Sequence, residues 1–344
     1  MSKKISFACD YLEGAHPEIL KKLMETNMIQ AQGYGLDEFS ESAKKKIRQA
    51  CDAPEADIFF LVGGTQTNEI VIYSLLKSYQ GVISAETGHI NTHEAGAIEF
   101  GGHKILTIKQ QYGKVNYKDI KQCIQYYWDD SNKDHMVMPG MVYISQPTEY
   151  GTLYSLQELE EISSVCKEYK IPLFVDGARL AYALACPENN VSLKDLARLC
   201  DVFYIGGTKC GALFGEAVVI PKHNFIPHFF TLIKQQGALL AKGRINAIQF
   251  DTLFTDDLYF KLGKIAIDAA QKIKEALKNK GYEFDVPSPT NQIFIILNQS
   301  QLDKIQEFVT LGFWENLDDG RKVIRIATSW ATTEENVKKL IELL

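Results

Sequence analysis

The sequence predicts an α/β protein with a large, mostly parallel sheet covered by helices, followed by a smaller α+β unit. Short apolar runs of strand length alternate with longer amphipathic runs over most of the chain, a pattern typical of a parallel sheet with helical crossovers. After about residue 245 this pattern changes to a long amphipathic run followed by two more strand-like runs. With 344 residues, 46% of them hydrophobic, the chain is long enough for two such units.

We place the large domain at residues 1–244 and the small domain at 245–344, and we allow the N-terminal segment to pack on the small domain. The strands expected in the large domain are Ile58–Val62, Gly81–Ser84, Val142–Ser145, Pro172–Asp176 and Val202–Gly206. The expected helices are Glu69–Ser78, Leu156–Tyr169 with Ser155 as its N-cap, and a connecting helix around Phe225–Ala241. In the small domain we expect helix Phe260–Asn279 ended by Gly281, strands Ile293–Leu297 and Val323–Ala327, and a closing helix Thr333–Leu344.

Charge and cysteine content exclude several classes of protein. The net charge of -6 does not favour nucleic acid or an anionic membrane surface, because both select basic patches. No run approaches the ~20 apolar residues of a membrane span, and the first residues lack the apolar stretch of a signal peptide. Seven cysteines without a close CxxC pair indicate reduced thiols rather than disulfides or a zinc site. We therefore expect a soluble cytoplasmic protein without a bound metal.

A glycine turn offers a candidate phosphate site. Gly63, Gly64, Thr65 and Gln66 follow a predicted strand and precede a predicted helix. Glycines let the main chain approach an anion, and a helix N-terminus supplies unpaired N–H groups. A plain strand-to-helix turn would have the same sequence.

Two further segments end predicted buried strands with charged residues. Asp176 follows Phe174 and Val175 at the edge where open parallel sheets bind ligands, and a buried carboxylate there needs a cationic partner. Lys209 lies in a GGTKCG segment after another apolar strand, and burial would lower its pKa and make it a nucleophile. An N-cap aspartate and an exposed turn lysine are the simpler explanations.

The order of these features indicates the chemistry. A glycine turn, then His89, then a strand-end aspartate and a lysine about thirty residues later fit an enzyme that uses pyridoxal 5'-phosphate. The lysine would form an aldimine with the cofactor, the aspartate would keep the ring nitrogen protonated, and His89 would stack on the ring. A lone histidine is otherwise more often structural.

The chain resembles the low-specificity threonine aldolases, within the β-eliminating lyases. The segments that carry the resemblance extend over nearly the whole chain: HPEIL (16–20), GYGLDEF (33–39), GGTQTN (63–68), HINTHEAGA (89–97), ISQPTEYGTLY (144–154), FVDGARL (174–180), GGTKCG (206–211), residues 234–250 and RIATSW (325–330). The resemblance implies the aspartate-aminotransferase-like fold, called fold type I. It also implies retro-aldol cleavage of threonine or allo-threonine to glycine and acetaldehyde.

The resemblance also implies roles for individual residues. Lys209 is the Schiff-base lysine, Asp176 pairs with the pyridine nitrogen, and His89 stacks on the ring. Cofactor contacts are expected from a further set: Gly64, Thr65, Gln66, Arg179 and Thr208 in the same chain, with Lys234 and Arg244 reaching toward a neighbouring subunit. Substrate contacts are expected from Cys9, Asp10, Arg179 and Arg325, the arginines because their forked geometry matches a carboxylate. The resemblance therefore implies a homodimer or homotetramer with sites at the interface. A solvated basic helix would explain residues 234–250 equally well.

Some positions depart from the family pattern and leave alternatives open. Cys9 replaces a common serine, Cys210 replaces a common asparagine, and Glu149 replaces a histidine that one branch places at the substrate hydroxyl. The base is therefore Glu149, His89 or a bound water. The same lysine and aspartate would also serve β-elimination or amino-group transfer, and an inactive homologue acting as a binding protein is the remaining alternative.

Overall fold

The computed structural model describes residues 4–344, which form two sheets surrounded by helices. The strands are β1 (Ile5–Phe7), β2 (Asp57–Leu61), β3 (Gln80–Ala85), β4 (Ile105–Ile108), β5 (Met138–Ser145), β6 (Leu173–Asp176), β7 (Val202–Gly206), β8 (Glu216–Ile220), β9 (Glu283–Val286), β10 (Gln292–Leu297), β11 (Val309–Asn316) and β12 (Lys322–Ala327).

The helices before the second sheet are α1 (Pro17–Thr26), α2 (Glu38–Cys51), α3 (Gly64–Leu75), α4 (His89–Thr92), α5 (Ala97–Phe100), α6 (Tyr117–Asp129), α7 (Leu156–Tyr169), α8 (Leu180–Ala185), α9 (Leu193–Leu199), α10 (Phe229–Gln235) and α11 (Arg244–Leu253). The remaining helices are α12 (Leu258–Asn279), α13 (Gln299–Gln306) and α14 (Glu334–Leu343), and a short 3₁₀ turn occupies Lys133–His135. None of the described helices is both long and apolar enough to cross a bilayer.

The large sheet has the strand order β2-β8-β7-β6-β5-β3-β4. All neighbouring pairs from β7 to β4 are parallel, whereas β8 runs antiparallel to both β7 and β2. The mostly parallel sheet predicted from the sequence is therefore confirmed, and β8 is an antiparallel strand that the sequence analysis missed. Because β2, β3, β5, β6 and β7 run in one direction, their carboxyl ends meet at one edge.

Side chains alternate between two apolar cores on either face of the large sheet. Val142, Val175 and Phe203 face one core, in which residues of α2, α7 and α9 are buried. Tyr143 and Phe174 face the other core, which α3 and α10 cover. Strands buried on both faces explain the nearly continuous apolar runs seen in the sequence.

The small sheet has the order β1-β11-β12-β10-β9, so the first strand of the chain lies at the edge of the C-terminal sheet. β1 pairs in parallel with β11, and the other neighbours are antiparallel. Helix α12 contributes Leu262 and Ala266 to the core of the large sheet, and Ile273 and Leu277 to that of the small sheet. The division of the chain between residues 244 and 245 stays a prediction.

Several predicted boundaries differ from the structure. The helix expected at Glu69–Ser78 begins five residues earlier, at Gly64, and ends at Leu75. The helix expected around Phe225–Ala241 is reduced to α10, because His228 adopts a left-handed conformation before it and Gly237 another after it. By contrast, α7 has the predicted bounds, and Ser155 caps it in a reciprocal pair with Glu158.

Candidate active site

Most of the predicted site residues converge at the carboxyl edge of the large sheet. An inner cavity is lined by Gly64, His89, Ser145, Pro147, Glu149, Asp176, Ala178, Arg179, Tyr204 and Lys209. It shares four of these residues with a wider outer cleft between the two sheets, which is also lined by Tyr11, His93, Tyr150, Gln292, Trp314 and Arg325. No group of three or more metal-ligating side chains occurs in residues 4–344.

Asp176 ends β6 as a fully buried carboxylate that accepts four hydrogen bonds. Its Oδ1 accepts from the Tyr204 hydroxyl at 2.6 Å and the Ala178 N–H at 3.0 Å. Its Oδ2 accepts from the Tyr143 hydroxyl at 2.7 Å and the Asn68 amide at 3.1 Å. Burial raises the pKa of Asp176, but the neighbouring His89 and these donors outweigh it, so the pKa is lowered. The Asp176 carboxylate is thus an anion in the wall of the inner cavity.

Lys209 lies in the turn that connects β7 to β8. Burial and the charge of Arg179 lower the pKa of the Lys209 amine, against the opposing influence of Asp10 and Glu216. A lowered pKa leaves more of the amine unprotonated, which is what a nucleophilic lysine requires. The aromatic ring of Tyr11 lies 6.0 Å from Nζ.

Glu216, which the sequence analysis missed, organises the turn around this lysine. Its carboxyl oxygens accept from the Gly207 N–H at 3.1 Å and from the Thr208 hydroxyl at 2.8 Å. The Thr208 hydroxyl accepts in turn from the Gly215 N–H at 2.9 Å, so it is already engaged within the turn. Burial raises the pKa of Glu216 to about 8. A buried glutamate at the start of an unpredicted strand left no pattern in the sequence that could reveal it.

The N-terminus of α3 faces the inner cavity through Gly64, in the same lining as Asp176. Gly63 is its N-cap and makes no side-chain capping bond, so the N–H groups of Gly64 and Thr65 have no capping partner. Thr65 is exposed, and the Gln66 side chain accepts a hydrogen bond from the Val62 N–H at 3.2 Å. A Cβ on Gly64 would approach the Tyr204 hydroxyl to 3.1 Å, so a larger residue here would crowd the hydroxyl that donates to Asp176. The helix dipole and free N–H groups favour a phosphate here.

His89 is held by Glu94, which is held in turn by Asn68, and the sequence analysis singled out neither of these buried residues. Its Nδ1 lies 2.7 Å from Glu94 Oε1, which also accepts from the Asn68 amide at 2.7 Å. Asn68 therefore links the carboxylates of Glu94 and Asp176. Because Nδ1 of His89 is engaged with Glu94, the Nε2 edge of the ring is left for the cavity.

Arg179 is fixed by a bidentate ion pair with Asp10. Its Nε and Nη2 donate to the two carboxylate oxygens of Asp10 at 2.7 and 3.0 Å, and the Asn291 amide donates to the same carboxylate at 2.9 Å. Asp10 is fully buried and lines neither cavity, so here it orients Arg179 instead of reaching the substrate as the resemblance implied. Cys9 does not line either cavity. Burial raises the pKa of Tyr11 most, and the neighbouring Cys9 is the next largest influence that raises it.

Arg325 enters the outer cleft from β12 of the small sheet. Its Nη1 donates to the Gln292 side chain at 3.2 Å and its Nη2 to the Ala8 carbonyl at 2.9 Å, while its buried Nε has no partner among the described residues. The ring of Trp314 lies 5.6 Å from its guanidinium carbon. Burial and the charge of Arg179 lower the pKa of Arg325. Two neighbouring guanidinium groups with unused donors suit an anion such as a carboxylate.

Glu149 lines both cavities. Its Oε1 accepts from the Ser145 hydroxyl at 2.7 Å and from the His89 N–H at 3.0 Å. Burial raises the pKa of Glu149, against the opposing hydrogen bond from Ser145. A carboxyl group with a raised pKa facing a cavity is suited to accepting a proton.

Lys234 and Arg244 lie outside both cavities of their own chain. Lys234 packs over the ring of Tyr34, 5.0 Å from its centre. Arg244 donates to main-chain carbonyls at the end of α1, those of Thr26, Asn27 and Ile29. Contact of either residue with a cofactor therefore requires a second subunit, and stays a prediction.

Comparisons with known proteins agree with this arrangement. The family model of β-eliminating lyases matches residues 7–300. The low specificity L-threonine aldolase of Pseudomonas aeruginosa is 30% identical over 97% of this chain and 95% of its own length. A solved threonine aldolase of Leishmania major is 43% identical, covers 98% of both chains and superposes with a TM-score of 0.95.

An aspartate aminotransferase variant from Thermus thermophilus shares the fold alone. It is 14% identical and has a TM-score of 0.71, over 100% of this chain and 96% of its own. The fold type I architecture and the family resemblance expected from the sequence are thus confirmed. The chain belongs to the pyridoxal-phosphate-dependent β-eliminating lyases and, within them, to the threonine aldolase family.

Proposed function

We propose that this enzyme cleaves threonine or allo-threonine to glycine and acetaldehyde, with pyridoxal phosphate bound at Lys209. The observation that carries the proposal is the convergence of Lys209, Asp176 and the α3 N-terminus on one cavity that opens between Arg179 and Arg325. Lys209, Asp176 and the α3 N-terminus suit the cofactor, and the two arginines suit the carboxylate of an amino acid. The proposed substrate is that of the threonine aldolases to which the chain is similar.

The residues of the inner cavity fit pyridoxal phosphate. Asp176 keeps a lowered pKa although it is buried, so it can pair with a protonated pyridine nitrogen. The uncapped α3 N-terminus beside Gly64 suits the phosphate, and the amine of Lys209 suits the aldehyde. When bound, the cofactor withdraws electrons from the bond broken at the substrate Cα.

Arg179 and Arg325 would orient the substrate by its carboxylate. Arg179 is held in place by its bidentate ion pair with Asp10, whose carboxylate also accepts a hydrogen bond from the Asn291 amide. Arg325 approaches from the small sheet, so the carboxylate is gripped from both sides of the cleft. Fixing the carboxylate fixes which bond at Cα faces the reactive ring, and orientation of this kind lowers the barrier.

Glu149 is the base that we favour for the β-hydroxyl proton. His89 has its Nδ1 engaged with Glu94 and is expected to stack on the ring. Glu149 Oε1 is held by Ser145 and by the His89 N–H, which leaves Oε2 as the oxygen without a recorded partner. Its raised pKa makes it a better proton acceptor than an exposed glutamate.

We further propose a cytoplasmic homodimer, or a dimer of dimers, with Arg244 donated across the interface. The surface around the Arg244 contacts exposes Met24 and Met28, which are 80% and 88% accessible. Exposed apolar residues that cluster in this way favour burial against a second copy. All seven cysteines are free thiols in the described chain, which suits a reducing compartment.

A substrate panel tests the proposed activity. The holoenzyme should release acetaldehyde from threonine or allo-threonine, while serine, cysteine and a keto-acid acceptor report the competing reactions. Phenylserine extends the panel to a larger aldehyde. Turnover confined to cysteine or to the keto acid would replace the proposal with β-elimination or amino-group transfer.

A further inference from the structure

Gln292 connects the substrate arginine of the small sheet to the proposed base of the large domain. It begins β10, pairs with Ala327 of β12 and is 0% exposed. Its Oε1 accepts from Arg325 Nη1 at 3.2 Å, and its Nε2 donates to the main-chain carbonyl of Glu149 at 3.2 Å. The buried Gln292 side chain therefore contacts both the guanidinium group of Arg325 and the main chain of Glu149.

The two partners of Gln292 demand opposite polarities. A guanidinium group only donates, and a carbonyl oxygen only accepts, so the amide orientation is fixed by chemistry. A charged glutamate at this position would bind Arg325 but could not donate to Glu149. A methionine of similar length would do neither. Only a neutral amide satisfies both neighbours while leaving the charge of Arg325 for a substrate.

Gln292 also accounts for most of the side-chain support of Arg325. The other recorded hydrogen-bond partner of that guanidinium is the Ala8 carbonyl, next to the β1 edge strand. Its Nε has no partner among the described residues. Without Gln292, Arg325 would be held only by one carbonyl and by packing over Trp314.

We propose that Gln292 is a positioning residue that holds the carboxylate-binding Arg325 and the base Glu149 at a fixed separation across the two sheets. This inference rests on the proposed function, which assigns those two roles. Gln292 touches neither the reacting bond nor the proton. It fixes the distance between the group that holds the substrate and the group that accepts its proton.

Two substitutions separate this role from simple support of the fold. Gln292→Met should raise KM for threonine about tenfold, as expected for one lost hydrogen bond to a charged group, and should lower kcat without moving its pH profile. Gln292→Glu should raise KM by roughly a hundredfold, because its carboxylate neutralises Arg325. Its negative charge should also raise the pKa of Glu149 and move the acid limb of kcat to higher pH.

Ser163→Ala is the control for loss of a buried hydrogen bond away from the site. Ser163 of α7 is 1% exposed, donates to the Leu199 carbonyl at 2.7 Å and lines neither cavity. This variant should lower Tm, while KM and the pH profile stay at wild-type values.

Glycine binding to each holoenzyme, measured by calorimetry, distinguishes failure of the inference from failure of the proposed function. Weaker binding in both Gln292 variants than in wild type supports the role at Arg325 even if threonine is not cleaved. Wild-type glycine affinity in both variants, or an unshifted acid limb of kcat in an active Gln292→Glu enzyme, would overturn the inference. A wild-type holoenzyme that bound no glycine would overturn both.

Discussion

Replacing Asp176 by asparagine tests the centre of the proposed site, because the change removes a charge and keeps the shape. The carboxylate accepts four hydrogen bonds, two on each oxygen. An asparagine has one oxygen, so its amide nitrogen faces two donors whichever way it turns. We expect Asp176→Asn to fold, to lose stability and to lose most of its activity.

The size of the stability loss follows from which donors can adapt. The hydroxyls of Tyr143 and Tyr204 can rotate and accept instead. The Ala178 N–H is main chain, and turning the Asn68 amide would remove its 2.7 Å hydrogen bond to Glu94. Either orientation of the new amide thus leaves one buried donor unpaired, at a cost of about 1–3 kcal/mol.

The activity loss is a separate quantity with a separate assay. Losing the anion that pairs with the ring nitrogen should lower kcat by roughly ten- to a hundredfold, as for a hydrogen bond to a charged group. Urea unfolding measures the loss of stability, and steady-state cleavage of threonine measures the loss of kcat. Asp201→Asn is the control, since Asp201 accepts one main-chain hydrogen bond, from Leu173, outside the site. An Asp176→Asn enzyme with unchanged kcat would remove Asp176 from the mechanism.

The other predictions concern single roles. Lys209→Ala should lose turnover and the visible absorbance of bound cofactor, and wild-type turnover in the purified variant would refute the assignment. Arg325→Ala should raise KM by roughly ten- to a hundredfold with near-normal cofactor binding; the reverse pattern would contradict its role. Because burial raises the pKa of Glu149, kcat should fall as pH drops through a value above ~4.3, and an unaltered acid limb in Glu149→Gln would assign that limb to another group. A randomly reassorted mixture of inactive Lys209→Ala and Arg244→Ala chains should recover roughly a quarter of wild-type activity if Arg244 acts across the interface, because about half of the dimers are mixed and each has one intact site; verified mixed dimers without activity would exclude this.

The parts of the site that were predictable are those carried by short segments. Asp176 ends one apolar strand and Lys209 follows another, and the direction of parallel strands brings their carboxyl ends together. The glycine turn was predictable for the same reason, although α3 begins at Gly64 and not after it. Local chemistry and strand direction were sufficient for these residues.

The residues that escaped prediction act only through contacts distant in sequence. Asn68 reaches Asp176 across 108 positions, and Gln292 reaches Glu149 across 143. Neither has neighbours in sequence that signal a buried polar role, since polar residues at such positions are read as surface. The ion pair between buried Asp10 and Arg179 likewise joins residues 169 positions apart, so it depends on the complete fold.

The pairing of β1 with β11 has a consequence for synthesis of the protein. Ile5 is synthesised long before its partner Val309. Asp10, just beyond β1, can hold Arg179 in its final position only once that edge strand has docked. A nascent chain can therefore complete the whole large sheet and still lack a finished substrate site. Activity should therefore emerge only after β11 has been synthesised and β1 has paired with it.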